Sequence, residues 1–442
     1  MKNLRIYKPY EISAVFRLGF IMAVLSMVIA VPSRGQSILS LDSCRSMAFA
    51  YNQDLKVASR SVDAAMSNAQ ATRANLYPDI DFRSYYIFSD GVNPQIDVAD
   101  LDNMQLFNLG LRVTQNIYRG RQVQYTAQIA DQKVDKMSAL RDLSETDLIY
   151  YTDQLYWQTV MASEMVELAR DYTSVIEELY EVVKNRTDAE IIVVNDLLLT
   201  EVQLNDARLG NIQADNQLKV STMHLNRLIG LDVNSNTMVK SKITPGFVGQ
   251  EGTDAEQKAM ENRPELKAQK AEMDINSTSV DLAKSSYHPA LTGSVGGGYG
   301  ATSLGGGLND PGLSVNALVS LSLPIYEFGQ RKSEVAYSRI NYEMTQLEFQ
   351  KLEDIITLEV NSAIYNVEQS IQKVELTDNS LLKASENLKL LTNQYREGLA
   401  SVIEVISAQI FWQNAYLSNI EARYRYMLDI TDYNKAIGLL RE

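Results

Sequence analysis

The chain has 442 residues and a formal charge of −14 at neutral pH. So acidic a chain is a poor partner for nucleic acid or anionic lipid headgroups, which select basic surfaces. Cys44 is the only cysteine and His224 and His288 are the only histidines, which excludes an intrachain disulfide and any multi-cysteine metal site.

Lys2, Arg5, Lys8 and Arg17 precede an apolar run from Leu18 to Val31, then Pro32, Ser33, Arg34 and Gly35. This pattern is that of a secretory signal peptide over 1–35, and the run is too short for a spanning helix unless it is carried back through Arg17. Cleavage there removes five basic residues and one acidic one, moving the formal charge from −14 to −18. Leu41-Asp42-Ser43-Cys44 loosely resembles a lipidation box, but it lies well past the apolar run and reads better as a buried thiol. No later apolar stretch is long enough to span a bilayer as a helix, so any crossing falls to strands.

From here the chain reads as two copies of one unit, 36–230 and 263–442. Leu55-Lys56 pairs with Leu266-Lys267 and Tyr77-Pro78 with His288-Pro289 at an offset of 211. Ile117-Tyr118 pairs with Ile325-Tyr326, and Asn226-Arg227-Leu228-Ile229-Gly230 with Asn434-Lys435-Ala436-Ile437-Gly438, at an offset of 208. Residues 231–262, with Pro245, Gly246, Gly249 and Gly252, read as a surface linker or small equatorial layer.

Each unit opens on a helix (41–77 in the first) and continues through two strands. Those of the first are 79–89 and 108–118. Ile80, Phe82, Tyr86 and Phe88 share one face of the former; Leu109, Leu111, Val113 and Ile117 share one face of the latter. In the second unit 290–300 is weakened by Gly293, Gly296, Gly297, Gly298 and Gly300, while 313–325 alternates with Leu318 as the exception. Ten-residue segments of period two suit barrel strands, although alternation alone also describes a half-buried sheet. Loops 90–106 and 301–312 are polar and read as extracellular. Four strands cannot close around a pore, so closure requires other subunits.

The strands are followed by long helices at 120–187 and 329–397 and shorter ones at 190–230 and 399–438. No Gly or Pro interrupts Arg121 to Leu209, Gln330 to Glu397 or Leu399 to Ala436, and Leu148, Tyr151, Leu155, Ala162 and Met165 keep helical spacing. Each long helix reaches about 100 Å. The shorter pieces match that length only if 41–77 and 190–230 stack end to end.

The duplicated unit, the Tyr77-Pro78 and His288-Pro289 junctions, Leu323-Pro324-Ile325-Tyr326 with Gly329, and Tyr395-Arg396-Glu397-Gly398-Leu399 through Glu404-Val405 resemble the TolC-type outer-membrane efflux proteins over nearly the whole chain. The resemblance implies an α+β homotrimer whose four strands per protomer build one transmembrane barrel, continued by a long helical barrel in the periplasm. It implies a passive exit duct in the outer membrane of a Gram-negative bacterium, serving a tripartite efflux or type I secretion system. The expected partners are a periplasmic adaptor, an inner-membrane RND or ABC transporter, and outer-membrane lipid. The helical tips would gate the duct. Asp196 and Glu404 match acidic positions near the closed aperture, and Tyr395 matches a latch position whose expected basic partner is replaced by Ala400. Glu190 and Ile191, with Gly398 and Leu399, are the expected adaptor-docking residues. As solvated first-turn charges, Asp196 and Glu404 would equally serve the helix dipole.

No nucleophile and base share a local motif, and neither histidine has metal-ligand spacing. The run Gly296-Gly297-Gly298-Tyr299-Gly300 lacks the Lys-Ser/Thr of a phosphate loop. No catalytic residue, cofactor or metal is expected. The competing reading is a non-transporting periplasmic or surface coiled-coil scaffold, which explains the helices but not two pairs of alternating segments.

Overall fold

The computed structural model describes residues 38–89, 104–240, 254–303 and 311–440. The leader at 1–35 and most of both loops read as extracellular lie outside these residues. A short strand β1 (Ile38–Leu39) leads into helices α1 (Leu41–Tyr51) and α2 (Gln53–Ala74), strands β2 (Asp79–Ser89) and β3 (Met104–Arg119), and helices α3 (Gln122–Asp188) and α4 (Val194–Ile229). Strand β4 (Met238–Val239) and helix α5 (Ala255–Asn262) follow. The order then repeats with α6 (Pro264–Ser285), β5 (Ala290–Ser303), β6 (Gly312–Ser322), α7 (Gln330–Arg396) and α8 (Val402–Ala436).

Helices α3 and α7 each contain 67 residues, about 100 Å of helix. Helix α2 lies along the start of α3, where Arg73 pairs with Asp131 at 2.8 Å, and α4 along its end, where Arg208 pairs with Glu177 at 3.1 Å. Two short helices therefore share the length of one long one. No helix among the described residues is long and apolar enough to cross a membrane.

Several boundaries differ from the sequence expectation. The segment 41–77 is two helices, because the Asn52 N–H donates to Ala48 O, closing α1, while its side chain accepts from Leu55 N at 2.8 Å, opening α2. The segment 231–262 is more than a linker. Its β4 pairs in parallel with β1, and α5 buries Ala255 and Ala259 in one cluster with Ile356 and Val360 of α7. Alanines give little hydrophobic periodicity, so this helix left no signal. Strand β3 starts at 104 rather than 108 and β5 runs to 303 rather than 300, whereas β6 ends at 322 rather than 325. Pro324 has no N–H to donate, and among the described residues the ladder with β5 ends at Ser322.

Helix α3 joins the repeats, packing against α1, α2 and α4 of its own and α6 and α8 of the other. Ion pairs across this seam include Lys136–Glu272 at 2.7 Å, Asp147–Lys435 at 2.9 Å and Glu164–Arg423 at 3.0 Å. The largest apolar cluster gathers Cys44, Ala48, Tyr156, Val160, Leu225 and Ile229, closing α1 over α3 and the end of α4. Cys44 is fully buried there, and burial with the nearby Asp153 charge pushes its thiol up to about 11.

The four long strands form one antiparallel sheet in the order β2-β3-β5-β6. Its register puts Ile80, Val113, Val295 and Ala317 in one row, and Phe82, Leu111, Gly297 and Val315 in another on the same face. The opposite face carries Asp81, Arg112, Gly296 and Asn316, then Arg83, Gly110, Gly298 and Ser314. A Cβ added at Gly110, Gly298 or Gly300 would lie 2.6 Å from a carbonyl oxygen of the adjacent strand. At these three positions on the polar side the neighbouring backbone leaves no room for a side chain. The apolar face has no cover: Leu313, Val315, Val319 and Leu321 are each more than two thirds exposed. Each hairpin passes to its long helix through two residues at positive φ, Gly120 and Arg121, then Phe328 and Gly329.

Candidate functional site

At the end of the helices remote from the sheet, the two helix-to-helix turns come together. Leu179 and Val183 of α3, Tyr395 of α7, and Val402, Val405 and Ile406 of α8 form one buried cluster, with Ile192, Leu197 and Ala400 packed on it. Ala400 thus occupies apolar core rather than a charged position.

The basic group comes from the other repeat. Arg186, in the last turn of α3, donates from Nη1 to Tyr395 O at 3.0 Å and from Nη2 to Arg396 O at 2.7 Å. Its guanidinium also lies 4.8 Å from the centre of the Tyr395 ring. Terminal carbonyls of α7 lack intrahelical donors and sit at the negative end of its dipole, so a cationic fork is well matched to them. Tyr395 is 5% exposed. Burial raises its phenol pKa, and the Asp196 charge raises it further against the opposing Arg186 charge. Arg186, Tyr395 and Asp196 are therefore brought together across the two repeats. Arg186 was missed in the sequence; a basic residue in a helix's last turn was the one signal available.

The two acidic candidates differ in their bonding. Glu404 accepts from Ser401 N at 2.7 Å and from the Ser401 hydroxyl at 2.9 Å, while Ser401 Oγ accepts from Glu404 N at 3.3 Å. This reciprocal cap starts α8 and holds the Glu404 carboxyl below its ordinary range, the backbone bond from Ser401 contributing most. Asp196 also lies in a first turn, but its helix follows Val193, whose side chain provides no cap.

Glu190 and Gly398 have the same conformation, φ 56° and 79°. In both turns the next N–H reaches back to close the helix: Ile191 N to Arg186 O at 2.9 Å, Leu399 N to Gln394 O at 2.8 Å. The first tip therefore keeps the turn without the glycine, at about 1 kcal/mol for a side chain in the left-handed region. Glu190→Gly is expected to raise resistance to denaturant by about 0.5–1 kcal/mol, the relieved strain being partly offset by a freer unfolded chain. A loss of stability would show that the Glu190 side chain makes a compensating contact. Ile191 and Leu399 are 70% and 74% exposed at the extremities, with Val193, Val194 and Ile403 also open to solvent.

At the opposite end, the helix-side rim of the sheet carries exposed Tyr77, Tyr118, Tyr287, Tyr326 and Phe328. His288, the counterpart of Tyr77, packs edge-on against Tyr118 with centroids 6.5 Å apart.

Comparison with known proteins adds to this geometry. The family described as outer membrane efflux protein matches residues 44–231 and 256–438, one segment in each repeat. The outer membrane protein TolC of Vibrio cholerae is 23% identical over 386 residues, covering 86% of each chain. A membrane protein from Pseudomonas aeruginosa superposes with a TM-score of 0.80 at 17% identity over 91% of each chain. The outer membrane protein VceC of Vibrio cholerae superposes at 0.79 and 14% identity, over 90% of this chain and 96% of that one.

Proposed function

The chain belongs to the outer membrane efflux protein family, and from that premise we propose that three copies form one duct leading from the periplasm through the outer membrane. The observation that carries this reading is the sheet: apolar outside, polar and glycine-lined inside, open at both edges, and standing on a helical column of about 100 Å. An uncovered apolar face of this extent is a liability in water and a fit to lipid. Strands of 11 to 16 residues are long enough to cross the hydrocarbon layer. The aromatic rim sits where an interfacial girdle belongs. Strands β2 and β6 each have one neighbour and run antiparallel to one another, so β6 of one copy can add to β2 of the next until the ring closes. Twelve strands would leave room for a pore where four leave none.

The duct is passive, with no catalytic step assigned to it. Its periplasmic end is closed by the tips and opened by an adaptor, which engages the exposed Ile191 and Leu399 turns and couples the duct to an inner-membrane RND or ABC transporter. Purification from outer membranes is expected to yield a detergent-resistant trimer whose gel mobility changes on heating. A soluble, elongated oligomer would instead support the scaffold reading.

Asp196 and Glu404 would bring six carboxylates to the three-fold axis and favour cations. Asp196→Asn with Glu404→Gln should lower cation preference in planar bilayers without disturbing the tip, because Gln can still complete the Ser401 cap. An unchanged reversal potential would remove these residues from the permeation path. In the unmodified protein Glu404 stays ionised to a lower pH than an ordinary glutamate, so its share of the selectivity should persist as acid begins to neutralise ordinary carboxylates.

A further inference from the structure

Across the four long strands arginine outnumbers aspartate, in a chain whose formal charge is −14. Strand β2 carries Asp79, Asp81 and Arg83, β3 carries Arg112 and Arg119, and β5 and β6 carry no charged residue. The register puts all of these charges on the polar face, Arg119 through its partner Ala290. They do not balance locally. Arg83 takes both oxygens of the Asp81 carboxylate, Nε to Oδ1 at 2.5 Å and Nη2 to Oδ2 at 3.1 Å. Arg112 stands directly opposite Asp81 in the ladder, yet it has no ion-pair partner among the described residues. Whichever guanidinium Asp81 holds, the other is left over.

The wall beside Arg112 is bare. Next in its row is Gly296, and Gly110 and Gly298 lie side by side in the adjoining row of the same face. Beyond Gly296, Asn316 reaches back over it: a Cβ added at Gly296 would lie 2.8 Å from Asn316 Oδ1. The half-buried Arg112 and this amide therefore stand on either side of one glycine, two strand spacings or about 10 Å apart at the backbone. A planar cationic fork with no carboxylate of its own, an amide that can donate, and open backbone between them suit an oxyanion. Resting on the duct reading, we infer that the inner wall of the barrel holds, in each copy, a subsite for a carboxylate or phosphate group of a passing solute, formed by Arg112 and Asn316 flanking Gly296. The subsites lie at the exit, beyond the acidic tips, and the two levels act on different solutes. A fixed charge is felt over only about 8–10 Å at ordinary salt, so the narrow tip sets the preference among small ions. The barrel subsites act on solutes that carry several oxyanion groups and touch the wall.

Citrate is the probe, added on the barrel side of the purified full-length protein conducting in a planar bilayer, at neutral pH and constant ionic strength against chloride. It should block the current reversibly, where chloride does not. Arg112→Gln should raise the half-blocking citrate concentration about tenfold, the scale of one hydrogen bond to a charged group, and Asn316→Ala should raise it about threefold. Asp81→Asn should lower it, because Arg83 is then released as a further donor. Asp196→Asn with Glu404→Gln should leave it unchanged, since citrate from this side meets the barrel before the tips. A conducting channel that citrate does not block, or one whose block is the same in Arg112→Gln, would overturn the subsite and leave the duct intact. If Arg112→Gln does not fold, Asn316→Ala decides the same question at an exposed position, and an unchanged block there overturns the subsite. Protein that conducts nothing would overturn the duct reading and the subsite with it.

Discussion

Replacing Arg186 with alanine should leave the duct folded and make it leak. The side chain ties α3 to the end of α7 through two charged hydrogen bonds and one ring contact. A bond to a charged group contributes about 1.5–3 kcal/mol where solvent does not replace it. Arg186 is half-buried and water can reach the freed carbonyls, so about 2 kcal/mol for the whole contact is a reasonable scale. Lost from the closed arrangement alone, that amount raises the open population by roughly thirtyfold. Single-channel recordings of Arg186→Ala should show larger or longer openings than the parent. Arg186→Lys should fall between them, because one ammonium cannot bridge two carbonyls as a planar fork does. Closed-state conductance identical to the parent would mean that the contact holds the tip's shape without holding it shut.

Removing Arg45 should have the largest effect on stability. Its guanidinium grips Asp153 bidentately, Nε to Oδ1 at 2.7 Å and Nη2 to Oδ2 at 2.5 Å, and the Asp153 side chain is only 2% exposed. Burial, the largest influence, holds the Asp153 pKa above its ordinary value even with Arg45 opposing it. Arg45→Met would strand that carboxylate beneath α1, at a cost of about 3–5 kcal/mol. Adding Asp153→Leu should recover most of the loss, since an apolar pair carries no desolvation penalty. A raised folded pKa means that the ionised group works against the fold at neutral pH and ceases to do so once protonated. The Arg45→Met defect should therefore shrink as pH falls toward the ordinary aspartate range. A defect that grows in acid would mean that the carboxylate is not the stranded group.

The architecture was legible in the sequence wherever it rests on repetition. Long stretches free of Gly and Pro gave α3 and α7 nearly to the residue, and the apolar face of Ile80, Phe82, Tyr86 and Phe88 gave β2 at its full extent. What escaped rests on contacts between distant residues or on backbone conformation. Arg186 meets carbonyls 209 and 210 residues away, and its counterpart in the second repeat is Gln394, so duplication gave no hint of it. The likeness of the two tips was hidden because Glu190 takes a glycine's conformation without being glycine. The end of β6 was overdrawn because alternation continues to Ile325, whereas the ladder with β5 ends at Ser322. Glu404 stood out for its charge, yet its clearest role here is to cap the helix it begins.

Electrical recording from the purified, folded protein in a planar lipid bilayer tests the central claim most directly. The duct predicts discrete, small, cation-selective openings from a trimeric species, enlarged by Arg186→Ala. Protein that never inserts, or adsorbs without conducting, would contradict a transmembrane barrel and leave the helical column as a scaffold.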